Sequence, residues 1–146
     1  MFVPPYDSLL KKLNTSRAAV EASGEITIPT ALLRFLLQIA LGISEFDENA
    51  YLRANPDVRA AVRNGEVDDG AFHYIGFGYF EGRKGAIPID ERWYLQKYPD
   101  VAGAVKEGTT SSAADHFHSI GAAEGRSPSA EQEQFARQWK VALFDE

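Results

Sequence analysis

One stretch of this chain occurs twice. Residues 46–85, FDENAYLRANPDVRAAVRNGEVDDGAFHYIGFGYFEGRKG, align without a gap on residues 89–128, IDERWYLQKYPDVAGAVKEGTTSSAADHFHSIGAAEGRSP, at a constant offset of 43. Identical pairs run through the whole alignment: Asp47/Asp90, Tyr51/Tyr94, Leu52/Leu95, Pro56/Pro99, Asp57/Asp100, Val58/Val101, Ala61/Ala104, Val62/Val105, Gly65/Gly108, Ala71/Ala114, His73/His116, Gly78/Gly121, Glu81/Glu124, Gly82/Gly125 and Arg83/Arg126. A period of this size marks a repeated supersecondary unit, which cannot bury its apolar face alone and stacks on its neighbour.

Each shared residue has a local task, and together they read as three helices per copy. Asp47 and Asp90 suit an N-cap, accepting from the free amides of a short helix that buries Tyr51 and Leu52, or Tyr94 and Leu95. Pro56 and Pro99 open a second helix at the position where a missing N–H costs nothing, and Asp57 or Asp100 complements its dipole. Val58, Ala61 and Val62 share one face of it, and Gly65 or Gly108 suits a left-handed stop. Asp69 or Ser112 caps a third helix carrying Ala71, Tyr74 and Ile75, or Ala114, Phe117 and His118, which Gly78 and Gly121 are expected to end. The Glu-Gly-Arg that follows reads as a positive-φ turn, a clasp aimed back at its own unit.

The flanks complete an all-α expectation: a single domain over 1–146, with N-terminal helices in 1–43, copies at 46–85 and 89–128, and a closing helix over 129–144. Tyr6–Ser23 reads as one amphipathic helix with Leu9, Leu10, Leu13 and Val20 inward. Thr30 caps the next segment, ALLRFLLQIALG, apolar around most of its circumference except for Arg34 and Gln38. Such a helix is expected to be the buried core helix on which the copies pack, or in part the seam of a homodimer. Ser129 and Gln132 form a capping box before Phe135, Trp139, Ala142 and Leu143, a face expected to dock on the core.

Composition narrows the functional classes. A net charge of −6 and a pI near 5.1, with no long Lys/Arg run, argue against nucleic acid as a partner. The absence of cysteine excludes disulfides, thiolate catalysis and cysteine-ligated metals. Ala31–Leu41 is far shorter than the roughly 20 residues that span a bilayer, and Met1–Leu10 has no signal-peptide pattern, so a cytoplasmic protein without a transmembrane segment is expected.

His73 and His116 are the residues most suggestive of chemistry. Their matched positions beside the clasp point to a hydrogen-bonding role within each copy rather than to a metal, and His116 and His118, two apart, face different sides of a helix. Arg83 and Arg126 are expected to pair with Glu81 and Glu124 rather than with a bound anion. Asp68-Asp69 reads as a solvated cap. There is no phosphate loop, nucleophile elbow or His-Glu-x-x-His helix, and no cofactor is expected. Tyr74, Phe77, Tyr79 and Phe80 crowd the end of the first copy, where the second has Phe117, Ile120, Ala122 and Ala123. Aromatic faces supply contact area at low entropy cost, which makes these four, with Arg83 and with Arg34 and Gln38 of the apolar helix, the candidate contact residues.

The string Tyr-Leu-x-x-x-Pro-Asp-Val-x-x-Ala-Val-x-x-Gly, followed by His-[Tyr/Phe]-x-x-x-Gly-x-x-Glu-Gly-Arg, resembles a bacterial repeat appended to glycosyltransferases, rhamnan-synthesis-like proteins and methyltransferases of surface-polysaccharide systems. The resemblance covers residues 46–128 and carries no catalytic residue with it. It implies a non-enzymatic scaffolding module whose protein partner is a glycosyltransferase or methyltransferase. The alternatives are a carbohydrate-binding module using Tyr74, Tyr79 and Arg83, and an enzyme whose site, shared between the copies, joins His73 and His116.

Overall fold

The structure, a computed structural model, describes residues 1–144. Among them the regular elements are ten α-helices and two π-helical turns, so the all-α expectation holds. The chain divides into two compact units, Met1–Ile43 and a second from Ser44 onward, where the sequence reading has one domain.

The first unit holds α1 (Tyr6–Lys12), α2 (Arg17–Ser23) and α3 (Thr30–Gly42). The single helix expected over Tyr6–Ser23 is therefore two. Asn14 takes a φ of 54°, a left-handed conformation that asparagine tolerates, and the extended Ser16 caps α2 by accepting from Ala19 N at 3.3 Å. Arg17 closes the break, donating to both carboxylate oxygens of Asp7 at 2.6 and 2.9 Å. Leu10 is the one buried residue of the unit; Leu9, Leu13 and Val20 are half-buried.

The burial expected for α3 does not occur. None of its residues is buried, and Leu33, Phe35 and Leu36 are about half exposed. Forty-three residues in three short helices supply too little surface to enclose a 13-residue apolar helix on every side. Thr30 is the first helical residue rather than the cap, a place taken by Pro29 without a side-chain bond.

In the second unit the first copy supplies α4 (Glu48–Ala54), α5 (Pro56–Arg63) and α6 (Gly70–His73), the last running into a π-turn over Tyr74–Gly78. The second copy supplies α7 (Glu91–Lys97), α8 (Pro99–Glu107), α9 (Ala113–His116) and a π-turn over Phe117–Gly121, followed by α10 (Glu133–Phe144). The expected caps are present at matched places: Asp47 accepts from Ala50 N at 2.8 Å, Asp90 from Trp93 N at 2.9 Å, Asp69 from Phe72 N at 2.7 Å and Ser112 from Asp115 N at 3.0 Å. Pro56 and Pro99 open their helices, and Gly65 and Gly108 turn left-handed behind them at φ 73° and 78°.

Gly78 and Gly121 do not end the third helix. Helical backbone continues through Tyr79 and Ala122, whose amides donate to Tyr74 O and Phe117 O, five residues back, at 2.9 Å each. The stop comes at Gly82 and Gly125 (φ 71° and 74°). There Arg83 N donates to Gly78 O and Arg126 N to Gly121 O at 2.9 Å each, the 6→1 bond of a Schellman motif. The Glu-Gly-Arg clasp is thus the C-terminal cap of the third helix.

Buried Tyr51, Val58 and Tyr74 form the core of the first copy, and buried Tyr94, Val101, Ala113 and Phe117 that of the second, with Ile89, Trp93, Leu95, Tyr98 and Val105 packed against it. Phe46 and Tyr51 stand edge-on or tilted around Tyr74 within 5.5 Å, as Tyr94 and Phe117 do with each other at 6.0 Å. α10 is tied to the second copy by an ion pair of Lys97 with Glu133 at 2.5 Å, and the methylenes of Lys140 lie over Gly125. Its expected docking face stays open, because Phe135, Trp139 and Leu143 are each more than half exposed. The helix also begins past the expected capping box, after a turn in which Gln132 N donates to Ser129 O.

Candidate functional site

In each copy the matched polar residues converge on one tyrosine. Tyr51 and Tyr94 are fully buried, and their hydroxyls share hydrogen bonds of 3.0 Å with Nδ1 of His73 and His116. A Cβ at Gly78 or Gly121 would fall on that hydroxyl oxygen, which explains why glycine stands inside a helical turn where its flexibility is a cost. Burial holds both phenols protonated, pushing them up to about 12. Tyrosine and histidine are thus a structural pair that fixes the third helix to the first. Each histidine is engaged within its own copy, and among the described residues no group of three or more His, Asp or Glu is placed to hold a metal ion.

A second device crosses the same gap. Glu48 accepts from Gly70 N and Ala71 N at 2.7 and 3.0 Å, and Glu91 from Ala113 N and Ala114 N at 3.3 and 3.1 Å. A carboxylate from the first helix therefore satisfies the free amides at the start of the third and meets the positive end of its dipole. Glu48 and Glu91 are identical across the offset of 43, a signal that the helix-by-helix reading passes over because the bond spans 22 residues.

The arginines close the unit as expected, with a further partner. Arg83 Nε donates to Glu81 at 2.7 Å and its terminal nitrogens reach both oxygens of Asp57 at 2.8 Å; Arg126 binds Glu124 at 2.6 Å and both oxygens of Asp100 at 2.7 and 3.0 Å. Asp57 and Asp100, read from sequence as dipole partners alone, join the second helix to the clasp across 26 residues. The guanidinium beside each holds its carboxyl below the usual carboxylate range. The copies differ at one buried support. Asn55 donates to Tyr51 O and Lys84 O at 2.8 and 3.0 Å, whereas the matched Tyr98 accepts from Ser127 N at 2.9 Å and lies under the Arg126 guanidinium, 4.9 Å from it. Lys84 links the copies, donating to Ser119 at 3.0 Å with Asp115 3.8 Å away. Burial, reinforced by that ammonium, pushes the neighbouring His118 below its ordinary value.

The candidate contact residues separate accordingly. Tyr74 is buried at 8% exposure and serves the core rather than a partner, its hydroxyl pushed up to about 12 by burial. Arg83 is engaged by Asp57 and Glu81. Tyr79 stands edge-on between Tyr74 and Phe80, partly exposed, and Phe80 is half-buried. Phe77 remains at the surface with 54% exposure, and so does Phe72 at 57%, which the sequence reading left out. Position 72 lies about 100° round the helix from Ala71, on the flank of the expected core face, and helical phase alone does not single it out. Arg34 and Gln38 belong to α3 in the first unit.

Compared with protein-family models, with curated proteins and with solved structures, the chain matches none. Among the described residues no helix is long and apolar enough to cross a membrane.

Proposed function

We propose that this chain is a non-catalytic protein-interaction module, a scaffold whose first copy contacts its partner through Phe72 and Phe77. One observation carries the reading: two phenylalanines on one helical segment are each more than half exposed, while the polar side chains around the clasp are consumed by internal bonds. Aromatic anchors in a desolvated patch dominate binding energy in protein interfaces. The second copy has Asp115 and Ile120 at these positions, so the copies present different surfaces on a shared frame. The motif's resemblance to modules of surface-polysaccharide enzymes supports a glycosyltransferase or methyltransferase as the partner. A carbohydrate site is the weaker reading, because Tyr74 is buried and Arg83 is already ion-paired.

The test is capture from native lysate by the tagged full chain and by its Phe72→Ser/Phe77→Ser variant, after circular dichroism has shown equal helicity. The expected result is a glycan-building enzyme enriched by the wild type and at least tenfold less by the variant. Equal enrichment by both chains refutes the surface; chemical-shift changes at Tyr79 and Arg83 on titration with glycan favour the carbohydrate reading.

A further inference from the structure

The copies meet at a cluster of polar side chains that the repeat does not duplicate. Lys84, just past the first clasp, donates through Nζ to Ser119 Oγ at 3.0 Å and lies 3.8 Å from Asp115 Oδ1. Half-buried His118 adjoins Ser119 and feels both charges, the ammonium and the Asp115 carboxylate. Across the offset of 43 these positions hold other residues: Ser127 for Lys84, and Phe72, Ile75 and Gly76 for Asp115, His118 and Ser119. We propose that these four side chains form a proton-sensitive latch between the copies, closed while His118 is neutral and released when its imidazole becomes charged.

Each copy closes on itself, so release does not require unfolding. Asp47 N donates to Ala86 O at 2.9 Å and Asp90 N to Pro128 O at 3.1 Å, and the core of the second copy is built from its own residues. Between Ala86, bonded into the first copy, and Ile89, packed on the second core, lie Ile87 and Pro88. Proline fixes its own φ and restricts the residue before it, which leaves few torsions for a side-chain bond to restrain. The latch itself is weak. The Lys84 and Asp115 side chains are 57% and 42% exposed, and pairs of that exposure shift an equilibrium by at most about fivefold. A bond so close to balance responds to one added charge. A proton on His118 sets a second cation near the Lys84 ammonium, and the facing carboxylate, Asp115, already accepts from Thr110 Oγ1 at 3.2 Å. Burial and that ammonium hold His118 below its ordinary value while the latch is closed. Closure is therefore fully favoured above about pH 6.5 and is lost as pH falls through the lowered value.

Amide residual dipolar couplings of the full chain, fitted separately for residues 46–85 and 89–128, test the latch while the His118 imidazole is titrated in the same samples. The expected result is one alignment tensor for both copies at neutral pH and two below the His118 midpoint, with helicity at 222 nm unchanged. Lys84→Met is expected to give two tensors at neutral pH and to raise the His118 midpoint. His118→Gln is expected to keep one tensor throughout, although His73 and His116 still titrate. Two tensors in the wild type at neutral pH, or one that persists below the His118 midpoint, overturns the proposal. So does a Lys84→Met chain with one tensor or an unmoved His118 midpoint, or a His118→Gln chain that still divides on acidification. Loss of helicity together with the common tensor overturns it as well, because release would then be unfolding.

Discussion

Replacing Gly121 by alanine tests whether the tyrosine hydroxyl is the reason for glycine inside a helical turn. In an unconstrained helix the change stabilises by about 0.5–1 kcal/mol. Here the new methyl falls on the Tyr94 hydroxyl oxygen, and Tyr94 is fully buried, so its ring has nowhere to swing. Overpacking of this kind costs about 1–3 kcal/mol, and breaking the bond to His116 adds about 1 kcal/mol, giving a net loss of about 2–3 kcal/mol for Gly121→Ala. Tyr94→Phe alone removes the hydrogen bond and costs about 1 kcal/mol. In the double variant the oxygen is gone, and the methyl meets His116 Nδ1 at 3.3 Å and the ring carbon at 3.5 Å, contacts that a shift of a few tenths of an ångström by the released imidazole relieves. The double variant is therefore expected near the stability of Tyr94→Phe, a coupling of about 2 kcal/mol, where independent sites add to within about 0.5 kcal/mol. Urea unfolding followed by near-ultraviolet circular dichroism measures all four corners of the cycle. Additive losses would refute the reasoning and leave Gly121 a flexibility requirement instead.

Other consequences follow from the same bonds. Asp57 and Asp100 have folded pKa values held below the unfolded carboxylate value of about 3.9, so the stability they contribute is present above that value and is lost as pH falls through the folded ones. Urea midpoints should drop on acidification below about pH 4, and less steeply in Asp57→Asn/Asp100→Asn. Tyr51, Tyr74 and Tyr94 are protonated up to about 12 when folded and ionise near 10 when unfolded. Their contribution is complete below pH 10 and lost toward 12, so helicity at 222 nm should collapse cooperatively in that interval, together with a rise in phenolate absorbance. Glu91→Ala removes the acceptor shared by Ala113 N and Ala114 N and should destabilise by about 1–2 kcal/mol in thermal melts, whereas Glu91→Gln, which keeps an acceptor, should lose less.

Local rules made the helices of the copies legible, since caps at Asp47, Asp90, Asp69 and Ser112, prolines at 56 and 99 and glycines at 65 and 108 act within a few residues of themselves. Bonds that close the unit over 22 to 29 residues were harder to read. Identity of Arg83 and Arg126 suggested an internal pair with the nearest acid, yet nothing in spacing alone singled out Asp57 and Asp100 as second partners. The role of Gly78 and Gly121 was misread for the same reason: a glycine needed for the approach of a distant side chain has the same letter as a glycine that stops a helix. The flanks failed differently. Apolar periodicity places a stripe on α3 and on α10 but does not say whether another part of the chain is available to cover it, and Leu33, Leu36, Phe135 and Trp139 are left open.

The contact surface proposed above lies where the copies differ. Where the copies agree, at Glu48/Glu91, Tyr51/Tyr94, Asp57/Asp100, His73/His116 and Arg83/Arg126, each side chain holds its own unit together. Folding alone is sufficient to account for those identities. At positions 72, 77, 79 and 80 the first copy has four aromatics, and at 115, 120, 122 and 123 the second has Asp, Ile, Ala and Ala. The matched bonds do not require this contrast, because the second copy closes equally well without it. A swap of Phe72 and Phe77 for Asp and Ile should therefore leave the thermal midpoint within a few degrees and remove partner capture, while the reverse swap at 115 and 120 should give the second copy a capture surface of its own. Capture retained after the first swap would place recognition outside the repeat.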